Sequence, residues 1–146
     1  MLNIKSTIDV SKFAANKLFP KAQEKAAIQM LDWMSSGSMT SPAKPPRRTG
    51  VLASSGSVFY KNKFLKATPN TSRGGTPTPN KSHSGKGVTW GFNTNYAAKM
   101  HEDKSLNPGP FSVRDPNMHP GNQWVTEHLQ KDKNNYTKLI ADFIKK

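Results

Sequence analysis

The sequence predicts an α+β domain: a long N-terminal helix and a C-terminal helix packed on a small antiparallel sheet, with a long basic flexible loop. Three observations predict it. Apolar residues recur at three- and four-residue spacing near both ends. Short alternating runs occupy the middle, and a stretch of Gly, Pro, Ser, Thr and Asn separates two of them. The 146 residues suffice for one domain around one modest core. Its expected parts are a helix at 7–36, a linker at 37–48, sheet, basic loop and short helix at 49–104, a loop at 105–121 and a helix at 122–146.

The first helix rests on Ala15, Leu18, Phe19, Ala22, Ala26, Met30 and Trp33, which form one apolar stripe. Ser6 and Asp9 resemble a capping box, with a start nearer Ser11 as the alternative. Pro20 interrupts the stripe and predicts a kink or the meeting of two helices. Gly37 and the run SGSMTSPAKPP end the element.

Val51–Ser54 has the composition of a short helical turn. Ser57–Tyr60 and Lys63–Ala67 read as strands joined tightly through Lys61 and Asn62. In residues 69–87, 15 of 19 are Gly, Pro, Ser, Thr or Asn. Such a stretch buries too little apolar surface to offset its ordering entropy, which predicts a mobile loop. Residues 88–94, VTWGFNT, read as a strand with Val88, Trp90 and Phe92 on one face. Tyr96–Glu102 reads as a short helix and 105–121, with its four prolines, as a loop. Val125, Leu129, Tyr136, Leu139, Ile140 and Phe143 then mark the apolar face of the last helix.

The net charge of +13 is unevenly placed. Residues 37–87 hold nine Lys or Arg and no acid, whereas the two flanks are nearly balanced. An anionic partner is therefore in view, with Lys61, Lys63, Lys66, Arg73, Lys81 and Lys86 as candidates to face DNA or a neighbouring subunit. The loop carries no aromatic residue, which argues against a single-strand-binding track. Solvation of a plain loop explains the same lysines.

Enzyme motifs fail one at a time. GTPTPNKS at 75–82 has Asn80 where a phosphate-binding loop needs its second glycine, and its two prolines remove amide donors. HEDKS at 101–105 lacks the second histidine of a zinc helix. His83, His119 and His128 have no ligand spacing, and the absence of cysteine excludes thiolate sites and disulfides. No catalytic residue, metal or cofactor is expected. The N-terminus lacks the apolar core of a signal peptide and no run has membrane-spanning length, so a soluble protein without membrane contact is expected.

The stretch TNYAAKMHEDKS (94–105) acquires a context from the order of motifs around it. Arg48 precedes Thr49, Gly50 and Leu52 in a T-G-x-L pattern; a strand pair follows; Tyr96, Ala97, His101 and Glu102 fit Y-A-x-x-x-H-E; PGNQWVTEHL (120–129) then leads into the last helix. In this the chain resembles the small neck proteins of long-tailed bacteriophages, called tail-completion, head–tail joining or minor capsid proteins. The resemblance spans most of residues 10–145, and the basic loop is longer than a hairpin requires. It implies a structural virion protein without catalysis, forming a six- or twelve-fold ring around the channel for genomic DNA. The implied partners are further copies of itself and the adjoining connector or tail-terminator proteins. The implied location is the head–tail interface of the virion, with the host cytoplasm during assembly. On this reading Thr49, Gly50, Leu52, Tyr96, Ala97, His101 and Glu102 serve packing and assembly. A basic nucleic-acid-binding module that forms no ring is the alternative.

Overall fold

The computed structural model describes residues 2–47, 50–73, 87–106 and 115–145. The first element is a strand that the sequence pattern did not predict, β1 (Leu2–Lys5). Leu2 and Ile4 alternate with polar neighbours, but over only four residues that period is too short to stand out.

The expected helix at 7–36 is shorter than predicted. A single 3-10 turn (Ser11–Phe13) precedes α1, which runs from Phe19 to Ser36. Pro20 lies in the first turn of α1 and does not kink it. A proline there removes an N–H that has no intrahelical partner anyway, and its fixed φ suits a helix start. Ser6 and Asp9 form no capping box: Ser6 Oγ accepts from the Ile8 N–H and Asp9 accepts from the Ser11 N–H. The hydrogen bonding from Ser11 holds the Asp9 carboxyl below its usual range.

The expected strands and the turn between them are present as β2 (Gly56–Tyr60) and β3 (Lys63–Ala67), after a 3-10 turn at Ala53–Ser55. The strand expected from Val88 is β4 (Val88–Phe92). All neighbours are antiparallel in the order β1-β4-β2-β3. Directly paired residues share a face, so Leu2 with Phe92, Ile4 with Trp90, Val58 with Trp90, and Tyr60 with Val88 build one apolar surface. α1 covers it, and Trp90 Nε1 donates to the Ala27 carbonyl at 3.1 Å. The buried face of α1 is wider than the expected stripe, adding Ala27, Leu31 and Met34. Leu18 is left exposed.

A short helix, α2 (Ala97–Glu102), follows the sheet as expected. The C-terminal segment differs from its prediction. It forms α3 (Trp124–Lys131) and α4 (Lys133–Lys145) with Asp132 between them, in place of one helix over 122–146. Trp124 meets Phe92 edge-on at 5.5 Å and Tyr136 meets Trp90 at 6.2 Å, which fixes both helices to the core. Leu129, Tyr136 and Ile140 are buried and Phe143 is half-buried against them. Leu139 departs from the predicted face. It is 37% exposed, because the inward stripe runs through Tyr136 and Ile140 and leaves position 139 on its flank.

Residues 74–86, most of the stretch expected to be a mobile loop, lie outside the described residues, as do Arg48 and Thr49. No helix among the described residues is long and apolar enough to cross a membrane. The assignment of helix faces predicts unequal outcomes at adjacent positions. Ile140→Asp places a carboxylate in the core and should cost several kcal/mol, enough to unfold the domain. Leu139→Asp should change stability by about 1 kcal/mol or less. Thermal melts of dilute protein decide it, and equal losses at the two positions would refute the assignment.

Candidate assembly motif and basic surface

α2 is only six residues long and holds its place through bonds made at its C-terminal end. The Met100 carbonyl accepts from Gly121 N–H at 2.7 Å, and the His101 carbonyl accepts from Gln123 N–H at 3.0 Å. Gly121 has φ +77°, and a Cβ there would lie 2.6–2.7 Å from Lys104 atoms, including its backbone nitrogen. Only glycine lets the two segments approach so closely. Ala97 is fully buried, while Tyr96, just before the helix, is partly exposed.

The His101 ring is fully buried beneath the edge of Trp124, with ring centres 4.8 Å apart. Its Nε2 lies 3.3 Å from the Val125 N–H and 3.4 Å from the Thr126 N–H. Both are orphan donors in the first turn of α3, where Gln123 (φ +50°) supplies no side-chain cap. Nε2 must therefore present its lone pair, and the proton resides on Nδ1, which donates to Glu102 Oε1 at 2.7 Å. Glu102 Oε2 accepts from Gln123 Nε2 at 2.8 Å. Burial pushes the His101 pKa below its ordinary value, with Glu102 acting in the opposite direction. The ring is a neutral cap for α3, with both nitrogens engaged.

A second buried histidine joins the linker to the C-terminal helices. His128 Nδ1 lies 2.6 Å from Asp132 Oδ2 and its Nε2 lies 2.8 Å from the Ala43 carbonyl oxygen. A carboxylate and a carbonyl only accept, so both ring nitrogens must donate. Ser38 Oγ donates to Asp132 Oδ2 at 2.7 Å and Asn135 Nδ2 donates to Oδ1 at 3.1 Å. Burial would raise the Asp132 pKa, but the bonds from His128, Ser38 and Asn135 outweigh it and hold the carboxyl below its usual range. Serine, histidine and aspartate meet here without the geometry of a hydrolase, since the hydroxyl points to the carboxylate and not to the imidazole. Sequence reasoning missed this cluster. Its one local sign is the four-residue spacing of His128 and Asp132, which puts them on one helical face.

Of the T-G-x-L motif, Gly50 adopts φ +88° and Leu52 is buried. Its surroundings are tied down by Arg47, which donates to the Thr71 carbonyl and hydroxyl, and by Ser55 Oγ, which donates to the Leu52 carbonyl.

The described basic candidates do not all share one face. Lys61 sits in the β2–β3 turn, with its ammonium 5.5 Å from the centre of the Tyr60 ring. An extra residue in β3, Leu65, shifts the register so that Lys63 pairs with Tyr60 and Lys66 with Val58, both on the side facing α1. There Lys63 meets Glu24 at 3.3 Å and Lys66 meets Asp32 at 3.7 Å. Lys63 and Lys66 therefore share one strand face, and Lys61 lies outside it in the turn. Arg73 is exposed, and Lys81 and Lys86 lie outside the described residues. Among the described residues, no three His, Asp or Glu side chains gather as metal ligands would.

Nearly all the acids have internal partners. Asp115 binds Lys44 and Asn117, Glu127 binds Lys131, Asp103 binds Ser105, and the others have been described. Asp142 alone among the nine forms neither an ion pair nor a hydrogen bond with the described residues.

The cap at His101 has a pH signature. An unfolded chain takes up a proton near about pH 6.5, whereas the depressed ring in the fold resists it. Stability from this residue is therefore complete above about pH 6.5 and is lost as pH falls through the folded value. His101→Ala should cost about 2–4 kcal/mol by losing the cap and opening a cavity. Denaturation of the wild type and His101→Gln between pH 8 and pH 5 checks the sign: the gap between them should narrow on acidification.

Comparison of the chain with protein-family models, with curated proteins and with solved structures returned no match.

Proposed function

We propose that the chain is a structural subunit of a phage neck, forming a ring around the DNA channel that helps join the tail to the filled head. The observation that supports it best is the use of the Tyr96–Glu102 stretch. Its chemistry-bearing side chains, His101 and Glu102, bond to the start of α3 and to Gln123, not to an open site. A motif used this way holds elements in register, which is what an assembly subunit requires. The resemblance carried by Gly50, Leu52, Tyr96, Ala97, His101 and Glu102 supplies the neck context. Further copies of the chain, the adjoining connector or tail-terminator proteins and the DNA in the lumen are its proposed partners. The virion's head–tail interface is the proposed location, and no catalysis is assigned.

The alternative, a nucleic-acid-binding module acting without a ring, is favoured by one observation. The chain's 22 Lys and Arg outnumber its nine acids, most of which are engaged within the chain, so the +13 excess has no counter-charge of its own. A channel through which DNA moves must not grip it, so the neck reading expects weak binding that disappears at modest salt. Each phosphate contact contributes about 0.9 to the slope of log affinity against log salt.

The test neutralises Arg73, Lys81 and Lys86 together. The fold and ring should survive, while virion yield or genome retention falls. Unchanged yield and retention would remove any role for these charges. A single subunit that binds duplex DNA tightly at physiological salt and never enters particles would favour the alternative.

A further inference from the structure

Among the described residues, the most exposed large apolar side chain is held in a rigid setting. Met39 is fully exposed at the tip of the turn after α1. Ser38 N–H donates to the Ser41 carbonyl, and Ser38 Oγ accepts from the N–H groups of Thr40 and Ser41 while donating to Asp132. Asn135 Nδ2 donates to Thr40 Oγ1 from the side of α4. Ordering this turn has already been met by the fold, so docking onto Met39 carries little further entropy cost. Beside it lies a groove of about 380 Å³ lined by Trp33, Met39, Lys138, Leu139 and Asp142. Met39 and Leu139 are two of the few large apolar side chains left exposed among the described residues, and both line this groove.

The charges on the rim identify the occupant. Two copies of a +13 chain repel, so a self-contact needs a place where acid is free. Among the described residues, Asp142 is that acid. It stands four residues beyond Lys138 on the exposed side of α4. When two α4 helices cross antiparallel with residue 140 at the centre, Lys138 of each copy faces Asp142 of the other. Leu139 falls beside the crossing point, and Lys145 faces Asn135 and not another lysine. Read in reverse, the pattern is its own complement, as a two-fold contact requires. An acidic or a basic foreign partner would match only one member of the Lys138 and Asp142 pair.

The geometry points to a two-fold pair of this chain, formed across α4 with Met39 of each copy against the other's Trp33 and Leu139 groove. This contact is independent of the neck reading, since a closed ring uses heterologous surfaces. It supplies a free form in which an apolar patch is covered before assembly.

Sedimentation across a concentration series at low salt tests it, with the full chain and variants at exposed positions. The wild type should pass from one subunit to two. Lys138→Glu and Asp142→Lys each put like charges opposite one another at two symmetric places, and each should weaken the pair about tenfold or more. Lys138→Glu combined with Asp142→Lys restores opposite charges and should recover the pairing. Circular dichroism confirms that each variant keeps the fold, and Met39→Ser, which leaves every charge in place, should also weaken the pair. A wild-type mass that stays at one subunit, or passes to larger assemblies without a two-subunit step, overturns the inference. Failure of the double variant to recover pairing also overturns it.

Discussion

The buried imidazole of His101 is the join on which the C-terminal half of the domain depends. α3 begins inside the core, directly after a left-handed residue, with no capping side chain of its own. Its first N–H groups must find acceptors there, because an unpaired buried donor costs about 1–3 kcal/mol. His101 supplies one from α2, a helix too short to persist unaided. The bond is therefore mutual: α3 gains a cap, and α2 gains a fixed position. Once α3 is placed, Trp124 sits on Phe92, and Asp132 can receive His128, Ser38 and Asn135.

That dependence explains what was legible in the sequence. The β2–β3 pair and β4 could be read because alternation and turn residues act locally. The short helix at Tyr96–Glu102 was legible for a similar reason, from its own composition. The start of α1 was not, since Pro20 signals a break or a beginning with equal force, and only the burial of Phe19 beside it decides. β1 was hidden because four residues become a strand only when β4 lies alongside. Leu139 was misplaced because helical spacing fixes a periodicity but not the width of the face that neighbours cover. At the candidate site the motif residues were visible. The roles of His101 and His128 were not, as each depends on atoms more than twenty residues away in sequence.

The division of charge follows from the same scarcity of acid. A chain with nine acids and 22 Lys or Arg cannot neutralise itself, and it places its acids where they hold the fold together. Glu102 orients His101, Asp132 closes the junction of α3 and α4, and Asp115 ties Lys44 to the segment before α3. Exposed ion pairs such as Lys63 with Glu24 contribute little to stability, about 0–1 kcal/mol each. They do change which lysines remain available to an outside anion. Of the strand pair's lysines, Lys63 and Lys66 are turned toward α1, so the sheet itself offers no continuous basic track.

Under the proposed neck function, this arrangement separates two kinds of contact that the subunit must make. Contact with DNA in the proposed channel has to be weak and forgiving, a character that scattered lysines suit better than a rigid basic track. Contact with protein has to be specific, which requires ordered apolar residues and paired charges of defined register. The rigid turn carrying Met39 has the second character, and it lies at the junction held by Ser38, His128 and Asp132. The buried polar cluster thereby does more than close the C-terminal helices. By fixing Ser38 it fixes the presentation of Met39, so the most exposed large apolar side chain among the described residues is positioned by one of the most buried charged groups.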